Sequence, residues 1–83
     1  MNWKRIDEKV TMIFANFFGA SPFTIDIEQN IDMQFEADYV DAKELMWIIN
    51  EEFSTYVNET DIKSVNSTVR AIKNQSKKGV KRK

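Results

Sequence analysis

The residues best placed to do chemistry fall in one short stretch: Asp38, Tyr39, Val40, Asp41, Glu44, Trp47 and Glu51. Carboxylates so close together could serve as acid and base, hold a cation, or offer negative charge to a partner. Acid–base work needs a pocket that perturbs a pKa. The chain also has no His and no Cys, which removes the usual general base, the commonest metal ligand and thiolate chemistry. The acids lack the loop motif of a calcium site. We therefore assign no catalytic residue and no metal ligand, and expect a protein that binds rather than an enzyme.

The charge pattern says what it would bind. The chain of 83 residues carries 12 Lys and Arg against 13 Asp and Glu, a net charge of −1. From Asp26 to Asp61 Lys43 is the single base among many acids, whereas Arg70, Lys73, Lys77, Lys78, Lys81, Arg82 and Lys83 follow Val69 with no acid between them. An acidic body attracts basic protein surfaces and repels phosphate. The basic cluster is short and lacks interleaved aromatics, so nucleic-acid binding is not expected. No apolar run approaches the roughly 20 residues of a membrane span, and "MNWKRIDEKV" lacks an apolar signal region. The reading is a cytoplasmic protein, monomeric when free.

The elements that must position the acids follow from periodicity. Ile6, Val10, Ile13, Phe14, Phe17 and Phe18 recur at helical spacing, which predicts a helix from Asn2 to Phe18, capped by Gly19 and kept from restarting by Pro22. Gly19 to Asp38 reads as a long loop whose apolar residues (Phe23, Ile25, Ile27, Ile31, Met33, Phe35) plug into the core, with a short strand at Ile25 and Ile27 as the alternative. A second long helix runs from Asp38 to about Ser54, with Asp38 as N-cap and Asp41 favouring the positive end of the helix dipole. A helical turn fits Asn58 to Ser64. A weak last helix covers Val65 to about Gln75, and "SKKGVKRK" reads as a frayed tail. The domain thus spans 1–76 and a basic flexible tail 77–83.

On the second helix, with Tyr39 at zero and about 100° per residue, Ala42, Leu45, Met46, Ile49 and Phe53 fall between roughly 240° and 340°, a core face. Val40, Glu44, Trp47 and Glu51 fall between roughly 80° and 140°, on the opposite side, flanked by Tyr39 and Lys43. An aliphatic residue and a tryptophan framed by carboxylates and turned outward make a candidate binding patch. The alternative is that the long loop folds over this face and buries Trp47.

These residues resemble a family. The "FFG" helix end, the Asn30-Ile31 anchor and above all "FEADYVDAKELMWIINEEF" from Phe35 to Phe53 are similar to acyl carrier proteins, over nearly the whole chain from about Ile6 to Ile72. The resemblance implies an all-α four-helix bundle with three main helices, a short third helix and a long loop between the first two. It also implies that the second helix faces partner enzymes of fatty-acid or polyketide type. In that family an Asp-Ser-Leu motif carries 4′-phosphopantetheine on the serine. Here the motif is Asp38-Tyr39-Val40, Asp41 matches the following aspartate, and Glu36 replaces a glycine. A phenol oxygen lies further from the backbone on a rigid ring, with a pKa near 10, and would miss a phosphorus aligned for a serine hydroxyl. The expectation is a carrier-like protein with phosphopantetheine absent. It would bind a protein with a basic docking patch, such as a ketosynthase, an acyltransferase or another carrier-dependent enzyme. A functional carrier of a specialised lipid or polyketide pathway is the alternative. Two more departures are Asn58, where the family has a proline, and the polar run Lys73, Asn74, Gln75 and Ser76, which implies a short last helix.

Overall fold

Four α-helices form in chain order: α1 (Ile6–Phe18), α2 (Ile31–Phe35), α3 (Tyr39–Phe53) and α4 (Val65–Lys81). The structure, a computed structural model, describes residues 5–81, with side-chain burial described over 5–75. Among the described residues there is no strand, so the strand alternative at Ile25 and Ile27 is not what forms. The start of the first helix expected at Asn2 lies outside the described residues.

The three long helices follow from their apolar stripes. Ile6, Val10 and Phe14 of α1, Leu45 and Ile49 of α3 and Ile72 of α4 have no exposed surface and meet in one core. Ala42 and Phe53 join them from the expected face of α3, and Met46 packs at its edge. Thr68 is also fully buried, and its hydroxyl donates to the Ser64 carbonyl (2.8 Å), so the helix itself supplies the partner a buried hydroxyl requires. Among the described residues no buried side-chain nitrogen or oxygen lacks a hydrogen-bond partner.

The long connection holds more structure than expected. Pro22 opens a 3-10 turn over Pro22–Thr24, its fixed φ suiting the first helical position, with Ser21 Oγ accepting from the Phe23 amide. A short helix, α2, follows Asn30. Phe35 stacks on Phe18 with centroids 4.3 Å apart and planes 6° off parallel, pinning α2 to the end of α1. Of the apolar anchors, Ile25 and Ile31 are buried and Phe35 is partly so, but Phe23 is 96% exposed and Met33 and Ile27 also face solvent. Five helical residues bury too narrow a stripe to read from a wheel. The connection is also tied by backbone: the Ile31 amide donates to the Lys63 carbonyl (2.7 Å) and the Asn66 amide to the Ile27 carbonyl (2.9 Å).

The expected turn after α3 forms at Glu59–Asp61 as a 3-10 turn, with Asn58 as its N-cap. The last helix is not short. α4 runs past Gln75 to Lys81: Val65, Thr68, Val69 and Ile72 give it a buried stripe over its first turns, and no proline stops it beyond them. The basic run expected as a tail over 77–83 lies partly on this helix, with Arg82 and Lys83 outside the described residues.

Candidate functional site

The start of α3 is built by its acids. Asp38 Oδ1 accepts from the Asp41 amide and Asp41 Oδ2 accepts from the Asp38 amide, each at 3.1 Å, a reciprocal capping box. Asp41 therefore does more than balance the dipole: part of its carboxylate is spent holding the helix start. Among the described residues, Glu44 and Glu51 make no ion pair, whereas the neighbouring Glu52 is held by Lys9 Nζ at 2.7 Å.

The outward face is as the wheel places it. Val40 is 58% and Trp47 74% exposed, with Glu44 and Glu51 beside them. The loop does not cover Trp47. Ile48 is also exposed, as is Tyr56 just beyond the helix. Neither was singled out from sequence: Ile48 lies between the two faces of the wheel, and Tyr56 lies past the helix end, where periodicity assigns no face.

Tyr39 turns away from the core. Its hydroxyl donates to Glu59 Oε2 (3.0 Å), and Lys43 Nζ lies 5.7 Å from its ring centroid. The Glu59 carboxyl is held below its ordinary range by its own backbone amide, by the Tyr39 phenol and by Lys43. At the foot of the ring an open depression of about 400 Å³ is lined by Ile31, Ala37, Asp38, Ala42, Ile62 and Lys63, among others. A second, of about 690 Å³, lies at the other end of α3, lined by Trp47, Asn50, Glu51, Ser54, Thr55 and Tyr56.

The segment after α3 is fixed by two side-chain amides. Asn50 Nδ2 donates to the Val57 carbonyl (3.1 Å), and Asn50 Oδ1 accepts from the Val57 amide and the Thr55 hydroxyl (2.9 Å each). Gln75 of α4 pairs with Tyr56 in the same way, accepting from its amide (2.6 Å) and donating to its carbonyl (2.9 Å). Tyr56 thus stands on supported backbone.

Among the described residues no group of carboxylates is arranged to hold a metal ion, and no helix is long and apolar enough to cross a membrane. A scan of protein-family models finds none that matches the chain, and a search of curated proteins finds no match.

Proposed function

We propose that this protein is an acyl-carrier-like docking module that has kept the partner-facing helix and lost the prosthetic arm. The observation that carries the reading is the outer face of α3, where exposed Val40 and Trp47 sit among Asp38, Asp41, Glu44 and Glu51. Apolar contact area ringed by one sign of charge favours a partner with an apolar spot inside a basic rim. A ketosynthase, an acyltransferase or a similar carrier-dependent enzyme has the required chemistry.

Two features support the absence of phosphopantetheine. Position 39 offers a phenol in place of a primary hydroxyl, and that phenol is engaged with Glu59. Glu36 adds a carboxylate beside the position where an anionic cofactor would be attached. The residues present do not fit the group, and the chain acts by binding, as a subunit or regulator.

Intact mass after incubation with coenzyme A and a broad-specificity phosphopantetheinyl transferase tests this directly. The native chain is expected to keep its mass. A gain of one phosphopantetheine would overturn the lost-arm reading in favour of a working carrier. The Glu36→Gly, Tyr39→Ser double variant restores the family pattern and is expected to gain one; no gain would count against the carrier-like reading itself. Because Asp38 and Asp41 build the helix cap, docking is best probed at Glu44 and Glu51. Reversal of both to Lys should abolish binding to a basic-rimmed carrier-dependent enzyme while leaving the melting temperature near its native value.

A further inference from the structure

The depression at the C-terminal end of α3 combines aromatic, amide and carboxylate side chains. Two aromatic side chains open into it, Trp47 (74% exposed) and Tyr56 (84% exposed), and the Glu51 carboxylate lies between them in sequence. The last turn of α3 carries no basic residue of its own, so no cation on the helix itself offsets the negative end of its dipole. Among the described residues no Lys or Arg lines the depression. Asn50 and Gln75 hold the Tyr56–Val57 backbone, so the wall that carries Tyr56 is preformed rather than assembled on binding.

We infer that this depression binds an arginine side chain presented by a partner protein. A guanidinium is planar, so it stacks on an indole or phenol face while its edge donates to a carboxylate. It is also less strongly hydrated than an ammonium, which favours Arg over Lys where aromatic faces replace water. Phosphate is repelled by Glu51 and the helix terminus, and a purely apolar side chain would leave that carboxylate desolvated without a partner. The site shares Trp47 and Glu51 with the docking face proposed above, but it does not require the partner to be carrier-dependent.

The test is a titration of the full ¹⁵N-labelled chain with the blocked tripeptide acetyl-Gly-Arg-Gly-amide, beside the same peptide with citrulline, which keeps the shape and loses the charge. Saturable shifts are expected at the Trp47 indole N–H and at the amides of 51–56, with a much smaller response to citrulline. Glu51→Gln and Tyr56→Leu should each weaken binding about fivefold, the fold-change equivalent to roughly 1 kcal/mol, with unchanged circular dichroism. Equal response to citrulline, or shifts spread over Asp38, Asp41 and Glu44 with none at Trp47, would overturn the assignment. Either result would leave the phosphopantetheine experiment unaffected.

Discussion

The Tyr39 hydroxyl donates to Glu59 Oε2 at 3.0 Å, which joins the first turn of α3 to the 3-10 turn Glu59–Asp61 twenty residues on. Tyr39 is thus a surface strut between two elements and not a core residue. Its ring is exposed, and the Lys43 ammonium lies beside it.

Glu59 should titrate below an ordinary glutamate. Its own backbone amide is the largest cause, and the Tyr39 phenol and Lys43 add to it. A carboxyl whose folded pKa is depressed contributes stability that is present above the unfolded pKa and lost as pH falls through the folded value. Because the hydrogen bond is exposed, that contribution is heavily screened. Side-chain carbonyl NMR should show Tyr39→Phe raising the Glu59 pKa only partway to normal, since the backbone donor remains. No change on losing the phenol would mean that the strut does not form in solution.

Glu36→Gly should stabilise the protein. Glu36 caps α2 with φ +55°, in the left-handed region. That conformation costs a residue with a Cβ about 1–2 kcal/mol, whereas glycine adopts it freely. The greater entropy of glycine in the unfolded chain offsets part of the gain, which leaves roughly 0.5–1 kcal/mol, measurable by urea denaturation. Glu36→Val at the same position should lose stability.

Helices with a full apolar stripe were legible in the sequence. The stripe of α1, the core face of α3 at Leu45 and Ile49, and the N-cap at Asp38 all form where periodicity and capping chemistry place them. The outward direction of Val40 and Trp47 was legible for the same reason, since a residue opposite a buried face must meet solvent unless something covers it. What was not legible depends on contacts between distant segments. α2 is held by the Phe18–Phe35 stack and by Gln34, whose amide accepts from the Asp26 N–H and donates to the Asp26 and Gln29 carbonyls. The position of Tyr56 depends on Gln75. Polar amides carry no periodic signal, so Gln34, Asn50 and Gln75 were silent in the sequence although each secures an irregular segment.

Asn50→Ala should therefore cost more than its polarity suggests. The substitution removes three partly buried hydrogen bonds at once and orphans the Val57 amide and carbonyl. Leaving such groups unpaired costs about 1–3 kcal/mol in all. Gln75→Ala removes bonds that are exposed, so water can replace them and the loss should be about 0.5–1 kcal/mol. Chemical denaturation of both variants checks the order. Equal losses would mean that the Asn50 clamp is as wet as the Gln75 clamp.

Asp38→Ala removes one half of the capping box of α3 and should cost about 1 kcal/mol. Urea denaturation checks the loss; no loss would mean that the Asp41 half of the box holds the helix start alone.

Leu45 and Trp47 lie two residues apart on α3 and should respond in opposite ways. Leu45 is fully buried in the shared core, and Leu45→Ala is expected to lose about 2–4 kcal/mol through the lost transfer free energy and the cavity left behind. Trp47 is 74% exposed, so Trp47→Ala removes little buried area and should shift the melting temperature only slightly. Partner binding should reverse the order: Trp47→Ala should abolish it, because an exposed indole ringed by carboxylates has the character of an interface hot spot. Leu45→Ala, assayed below its lowered melting temperature, should still bind. A large thermal loss for Trp47→Ala would place the indole in the core and remove the basis for α3 as a docking face.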